Sequence, residues 1–172
     1  MQLKVWNGFT ITKERLENLS WTKPYLKNSQ VVVVKKDSGY NLLSDLAGKS
    51  VAIQAGSSAE DAVNDTPSFK NAVKEIVPFS QNLMALNDLI IGGVDGVVMD
   101  SIVAEYAISE SGLPLVTLSE SLADEEYGIA FRKGDKELTD AVQKTLEEMA
   151  ADGTVNSIST KWFGSDITMI GR

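Results

Sequence analysis

Short apolar runs rich in β-branched residues alternate along the chain with stretches of helical character, and this alternation constrains the fold most. Strands and helices that alternate in this way favour an α/β fold with a mostly parallel sheet. The predicted strands are Leu3–Trp6, Val31–Lys35, Val51–Gln54, Glu75–Phe79, Gly96–Met99, Leu115–Leu118 and Gly128–Arg132. The predicted helices are Lys13–Asn18, Ser58–Asn64, Gln81–Ile91, Ile102–Ser111, Asp135–Ala151 and Val155–Phe163.

Two polar segments are predicted to connect parts of the molecule. Residues 27–30 are polar and lead into the apolar run Val31–Val34, and residues 124–127 are acidic and lead into the sequence GIAF. Two such connecting segments predict a continuous middle lobe, with the chain before and after it forming the flanking pieces. With 172 residues, the chain has the length of one domain or of two small lobes.

Composition excludes several classes of function. The chain has no histidine and no cysteine, which rules out disulfides, cysteine-based metal sites, Ser-His-Asp triads and Cys-His pairs. The net charge is −8 and no dense Lys/Arg cluster is present, so nucleic acid is not an expected partner. No apolar run approaches the roughly 18 residues of a membrane span. The opening MQLKVW does not have the pattern of a signal peptide.

The stretch VAIQAGSSAED, residues 51–61, predicts a strand that turns through Gly-Ser-Ser into a helix. Such a turn leaves backbone N–H groups without intrahelical partners. A serine hydroxyl can satisfy one of them as an N-cap, which is the structural interpretation. The same helix end, with two hydroxyls beside it, would also suit a carboxylate or phosphate. Both interpretations are open from this stretch alone.

Six motifs in order extend over nearly the whole chain. They are GFTITKER at 8–15, LSWTKPYLKNSQVVVVKK at 19–36, LSDLAGKSVAIQAGSSAED at 43–61, GGVDGVVMDSIVAEY at 92–106, EYGIAFRKGDKEL at 126–138 and DGTVNSISTKWFG at 152–164. In this order and spacing the chain resembles the polar amino-acid solute-binding proteins of ABC importers, family 3. Each motif alone is weak, and the resemblance lies in their succession.

The resemblance implies an α/β fold of the type II periplasmic-binding-protein kind, with two lobes joined by a two-strand hinge. We expect residues 31–127 to form a complete lobe 2, and residues 1–30 and 128–172 to form part of lobe 1. It also implies a free L-amino acid held between the lobes and a membrane permease of an ABC importer as partners. No cofactor, metal or catalytic residue is implied. The expected location is extracytoplasmic, in a periplasm or anchored by lipid at the cell surface.

The first motif contains three of the positions that the resemblance assigns to the ligand. Arg15 corresponds to the arginine that binds the ligand carboxylate. Thr10 and the backbone carbonyl of Gly8 correspond to acceptors for the ligand amino group. An arginine suits its role because the guanidinium offers a two-pronged set of donors to a carboxylate.

The other three positions lie in the middle of the chain. Ser58, with Ser57 beside it, corresponds to the hydroxyl that binds the ligand carboxylate, and Asp100 to the acid that pairs with the ligand ammonium. Asp100 directly follows the apolar run VVM, so we expect it at the carboxyl end of a strand. In open α/β sheets ligands bind at that end.

Simpler interpretations exist for the two charged residues. Arg15 could pair with Glu14 or Glu17 on a solvated helix. Asp100 could be only the N-cap of the helix that follows it.

The aromatic residues have two expected roles. Trp6 and Phe9 are candidates to line the ligand site, while aromatics in general are more often core residues. Trp162 and Phe163 are expected to pack the terminal helix.

The chain departs from the family pattern at its beginning. Family members carry a first-lobe segment ahead of the position matched by Trp6, with an acidic residue and an aromatic that stacks on the ligand. We therefore expect a truncated form with weakened or lost binding. The alternative is a folded receptor fragment without a ligand that self-associates, as a homodimer through the incomplete lobe 1. An enzyme resembling cyclohexadienyl dehydratases is less favoured, because the chain has no histidine and no evident extra acid facing the cleft.

Overall fold

The computed structural model describes residues 4–171, in which strands and helices alternate as the sequence predicts. The strands are β1 (Lys4–Val5), β2 (Leu19–Trp21), β3 (Leu26–Lys35), β4 (Ser50–Gln54), β5 (Glu75–Phe79), β6 (Gly96–Asp100), β7 (Leu115–Tyr127) and β8 (Ala130–Arg132). The α-helices are α1 (Lys13–Asn18), α2 (Ser58–Asn64), α3 (Pro67–Lys70), α4 (Asn82–Ile91), α5 (Ser101–Ser111), α6 (Lys136–Ala151) and α7 (Thr154–Phe163). A 3₁₀ turn covers Leu43–Leu46.

The chain forms two compact units. The central unit is Ser29–Asp124, and the terminal unit comprises the chain up to Asn28 together with the chain from Glu125 onward. Both boundaries fall inside long strands, β3 and β7, so the polar segments predicted as connectors are extended. Residues 27–30 and 124–127 are therefore parts of strands rather than separate linkers.

The central unit contains a five-stranded sheet in the order β5-β4-β6-β3-β7. β4 is parallel to both β5 and β6, whereas β3 runs antiparallel to β6. Helices connect β4 to β5 and β5 to β6, as crossovers between parallel strands of one sheet require. Only the 3₁₀ turn lies between β3 and β4. The sheet is therefore mixed, and the expectation of a mostly parallel sheet holds only for β5, β4 and β6.

Apolar residues cover both faces of this sheet. Val31 and Val33 of β3 join one core cluster with α4, and Val32 and Val34 join another with α2. Successive side chains of a strand point to opposite faces of the sheet. Four consecutive valines can therefore all be buried only if other residues pack against both faces. This explains why β3 continues as an uninterrupted apolar sequence.

The terminal unit is built from both ends of the chain. Its sheet has the order β1-β8-β2, with both outer strands antiparallel to β8. Lys4 lies opposite Phe131, while Leu3 of the predicted first strand lies outside the described residues. α6 places the buried Leu146 against Ile129 and Phe131.

Several predicted helix limits are confirmed. α4 ends at Ile91 as predicted and is followed by Gly92, whose φ of 84° is the left-handed conformation that glycine adopts easily. α6 extends to Ala151 as predicted. The short elements β2 and α3 have no counterpart in the predictions. None of the helices within residues 4–171 combines the length and apolar character needed to cross a bilayer.

The expectation for the last aromatic pair is wrong. Trp162 is 64% exposed and Phe163 is 42% exposed, although both lie in the last turn of α7. The buried side chains of that helix are Val155 and Ser159, which are four residues apart and share a face. Trp162 and Phe163 follow Ser159 by three and four residues, so they continue this face into the last turn, where it is no longer covered.

Candidate functional site

The six predicted ligand-binding residues divide equally between the two units. The terminal unit holds Gly8, Thr10 and Arg15, and the central unit holds Ser57, Ser58 and Asp100. Within each unit, hydrogen bonds or close packing bring these residues into contact with one another or with shared neighbours.

Arg15 is held by its backbone and by its side chain. Its N–H donates to the Thr12 hydroxyl at the start of α1, at 3.3 Å. One guanidinium nitrogen donates to the carbonyl oxygen of Thr10 at 2.9 Å. The Cζ atom lies over the Phe9 ring, 4.3 Å from its centroid. A guanidinium has five N–H donors, and this arrangement uses one of them.

Phe9 lies between Arg15 and a second aromatic residue. Its ring stacks on Trp21 with the centroids 5.1 Å apart and the planes at 16°. Across residues 4–171, Arg15 forms no ion pair with Glu14 or Glu17, so the interpretation of Arg15 as a surface salt-bridge partner is wrong. The guanidinium is held instead by its position over the Phe9 ring and by its hydrogen bond to the Thr10 carbonyl.

Thr10 belongs to a polar cluster that the sequence did not reveal. Its side chain is buried, and its hydroxyl donates to Glu125 Oε2 at 2.8 Å. The buried Asn28 donates its side-chain amide to the same oxygen at 3.0 Å. Thr10 also forms an isolated antiparallel bridge with Tyr127. Glu125 lies two residues before Tyr127 in β7. Because it belongs to an acidic run, its contact with Thr10 could not be predicted from the sequence.

Gly8 packs closely against the buried ring of Tyr127. A Cβ atom at Gly8 would lie 3.1 Å from the Tyr127 hydroxyl oxygen and 3.2 Å from Cζ. Contacts this short require the ring to move, so the position favours glycine. The neighbouring backbone is also fixed, because Gly128 N–H donates to the Phe9 carbonyl at 3.2 Å.

In the Gly-Ser-Ser turn after β4, the hydroxyl of the first serine does not cap the helix. Gly56 has a φ of 70°, which requires glycine in practice. Ser57 occupies the N-cap position of α2, but its hydroxyl donates back to the Gln54 carbonyl at 2.7 Å. The Glu60 carboxylate accepts from Gly56 N–H at 3.0 Å. The capping interpretation is therefore wrong for the Ser57 hydroxyl.

Gln30 joins the other two predicted residues of the central unit. Its side chain is 1% exposed, and Nε2 donates to Ser58 Oγ at 3.2 Å and to Asp100 Oδ1 at 2.5 Å. Asp100 occupies the N-cap position of α5 without a capping hydrogen bond from its side chain. The interpretation of Asp100 as only an N-cap is therefore wrong, because its carboxylate contacts Gln30. The sequence predictions did not include Gln30.

Over residues 4–171 no three acidic side chains are grouped so that they could hold a metal ion. The candidate groups are instead a guanidinium and acceptors in the terminal unit, and hydroxyls and a carboxylate in the central unit. Such groups bind small polar ions through hydrogen bonds.

A family model describing bacterial extracellular solute-binding proteins, family 3, matches residues 4–165. Curated relatives include the L-cystine-binding protein TcyJ of Escherichia coli K12, 29% identical over 95% of this chain and 61% of its own length. The ABC transporter arginine-binding protein 1 of the same strain is 34% identical, over 92% of this chain and 65% of its length. The arginine-binding extracellular protein ArtP of Bacillus subtilis 168 is 33% identical, over 92% and 62%.

Solved structures give the same result. A substrate-binding protein of an ABC uptake transporter from Streptococcus pneumoniae, with bound histidine, superimposes with a TM-score of 0.92 at 33% identity. The match covers 96% of this chain and 70% of that one. An ancestral arginine-binding protein bound to arginine is 40% identical, with a TM-score of 0.81 over 94% of this chain and 71% of the other.

These proteins share the mixed α/β fold, and the chain spans about three fifths of the length of the curated relatives. The relatives described above are named as binding proteins rather than as enzymes. This outcome agrees with the expectation of a non-catalytic protein. The chain belongs to the bacterial extracellular solute-binding proteins of family 3.

Proposed function

We propose that this chain binds a free L-amino acid as part of the extracytoplasmic solute-binding component of an ABC importer. The observation that carries the proposal is the state of Arg15. Its guanidinium is stacked on Phe9 and tied to the Thr10 carbonyl, yet it forms no ion pair across the described residues. A fixed guanidinium without a carboxylate partner is suited to a carboxylate ligand.

The remaining residues supply groups that complement both ends of a zwitterion. The Ser58 hydroxyl is a second candidate donor to the ligand carboxylate, with Ser57 supporting the turn that carries it. Asp100 supplies the negative charge for the ammonium group. Thr10 and the Gly8 carbonyl supply neutral acceptors for the same group, because an ammonium offers only donors.

The solved relatives, as well as these residues, support a proposal for the chemical class of the ligand. Structures similar to this chain are described with bound histidine, arginine and glutamine. The shared part of these ligands is the α-amino-acid group, to which the residues above are assigned. We accordingly propose an L-amino acid with a polar side chain, and a membrane permease as the partner of the loaded protein.

The experiment is calorimetric titration of the purified chain with each common L-amino acid up to millimolar concentration. We expect heat from one or a few amino acids, and loss of that heat in the Arg15→Ala and Asp100→Ala variants. Lys13→Ala and Asp37→Ala are matched controls, because they remove an exposed charge of each sign. They are expected to bind as the unchanged chain does.

Silence across the whole panel would contradict the proposal and favour the alternative of a folded fragment without a ligand. The predicted weakening of affinity stays a prediction, and the dissociation constant from the same titration tests it. The predicted homodimer also stays a prediction. Light scattering at several protein concentrations measures the mass that decides it.

A further inference from the structure

Gln30 is a buried polar side chain that contacts both Ser58 and Asp100. A single nitrogen, Nε2, lies 3.2 Å from Ser58 Oγ and 2.5 Å from Asp100 Oδ1. The residue is 1% exposed, in a strand whose next four residues are all apolar. A buried amide in this setting requires hydrogen-bond partners, and it obtains two of them from predicted ligand-binding residues.

The chemistry of the amide fixes the direction of both bonds. An amide nitrogen carries two hydrogens and acts only as a donor, so Ser58 Oγ and Asp100 Oδ1 are the acceptors. The amide is also neutral. It therefore contacts the Asp100 carboxylate without adding a positive charge beside it, which a lysine or arginine at this position would do.

The sheet determines where this amide lies. β3 and β6 pair in antiparallel register with Gln30 opposite Asp100 and Val31 opposite Met99. Ser29 N–H donates to the Ser101 hydroxyl at 3.2 Å, which ties the two strands together one residue further along. The backbone pairing thus places Gln30 beside Asp100, and burial restricts the side chain to few conformations.

We propose that Gln30 is the positioning residue of the central unit. It holds the Ser58 hydroxyl oxygen and the Asp100 carboxylate in one fixed arrangement, so that the carboxylate meets a ligand ammonium without first reorganising. Preorganisation of this kind raises affinity by lowering the cost of ordering the site. The inference rests on the proposed function and adds to it a residue that acts through Ser58 and Asp100.

A double-mutant cycle tests the coupling. Gln30→Met keeps the length of the side chain and removes both donors. We expect it to weaken binding of L-arginine, or of the amino acid that binds most tightly in the panel, by about 10- to 100-fold. In an Asp100→Asn background the same change should weaken binding by a clearly smaller factor, because one of its two targets is already altered.

A Gln30 that only fills space would behave differently. Gln30→Met would then weaken binding by the same factor in both backgrounds, and that result would overturn the proposal. Gln30→Glu keeps the shape and puts a second carboxylate against Asp100, so it should weaken binding at least as much as Gln30→Met. Gln143→Met is the control, since it removes a hydrogen-bonding glutamine on α6 and should bind unchanged.

Nuclear magnetic resonance provides a readout that does not depend on ligand or on a stable Gln30 variant. The side-chain amide resonances of Gln30 should shift in both Ser58→Ala and Asp100→Asn proteins, and their hydrogen exchange should be slow in the unchanged chain. Resonances that respond to neither change would overturn the positioning role. If no amino acid binds but the resonances respond to both, the proposed function fails while the positioning of Ser58 and Asp100 by Gln30 stands.

Discussion

The guanidinium carbon of Arg15 lies 4.3 Å from the centroid of the Phe9 ring, and that ring is itself stacked on Trp21. The cation thus lies over an aromatic ring, a contact worth about 0.5–1 kcal/mol at an exposed site. A guanidinium fixed in this way loses little further freedom when a carboxylate binds.

Replacing Arg15 by lysine tests the importance of the planar group. Lysine keeps the charge but has neither the paired donors nor the flat surface for Phe9. We expect Arg15→Lys to weaken amino-acid binding by about tenfold or more, measured by calorimetric titration. Lys13→Arg makes the reverse exchange at an exposed position two residues away and should change nothing. Equal affinity of Arg15→Lys and the unchanged chain would contradict the assignment of Arg15.

Removing Glu125 is expected to destabilise the terminal unit. Its Oε2 accepts hydrogen bonds from Thr10 and Asn28, both buried, at 2.8 and 3.0 Å. Glu125→Ala takes this shared acceptor from two buried donors, which costs about 1–3 kcal/mol in the free energy of unfolding. Urea denaturation measures the loss. Glu126→Ala, at the exposed neighbouring position, should leave the midpoint in place, and an equal loss in both variants would count against this explanation.

Tyr25 is expected to ionise later than an ordinary tyrosine. Burial raises the pKa of Tyr25 from 10.0 to about 12. Its hydroxyl also donates to the Asn7 carbonyl at 2.8 Å. Because the folded-state pKa lies above the unfolded one, the stability linked to Tyr25 is fully present below about pH 10 and is lost as the pH rises toward about 12.

Absorbance at the tyrosinate band, recorded during an alkaline titration, measures this step. Tyr25→Phe should remove an ionisation near pH 12, and should also reduce the fall in stability between about pH 10 and 12. An unchanged titration curve in Tyr25→Phe would show that the late ionisation belongs elsewhere.

Gly128 has no room for a side chain. A Cβ atom there would lie 2.8 Å from Ile11 Cδ1 and 2.9 Å from Trp21 Cε3. Overpacking of this kind costs about 1–3 kcal/mol, so we expect Gly128→Ala to lower the denaturation midpoint. At Gly93 the added atom would meet the end of the flexible Asp88 side chain, which can turn away. Gly93→Ala should therefore cost less, and the opposite order would contradict the packing argument.

The sequence predicted those parts of the site in which a polar residue follows an apolar run. Asp100 ends the buried strand β6, and Ser58 follows the turn after β4. In both places the change from buried apolar residues to a polar one marks the end of the strand. Hydrophobic pattern predicted the ends of these strands, whereas the assignment of Ser58 and Asp100 to a ligand came from the family resemblance and stays a prediction.

The burial of Gln30 and Asn28 was not predicted, and the pattern of β3 explains why. Along the first half of β3 the buried residues are Leu26, Asn28 and Gln30, which alternate as strand residues should. Two of the three are polar, so a search for apolar alternation reads the segment as a solvated connector. Their burial depends on acceptors that come from distant parts of the chain, Glu125 and Asp100, and local sequence carries no sign of those.

The central position of β8 between β1 and β2 sets an order for synthesis on the ribosome. Val5 of β1 pairs with Ala130 of β8, so this pair cannot form until the whole of Ser29–Asp124 has been synthesised. The central unit is one continuous segment, whereas the sheet of the terminal unit joins residues far apart in sequence, and such pairing is intrinsically slow to form. Strands β1 and β2 are synthesised before Ser29–Asp124 and β8 after it, so the sheet of the unit that contains Arg15 forms only once that segment has been made.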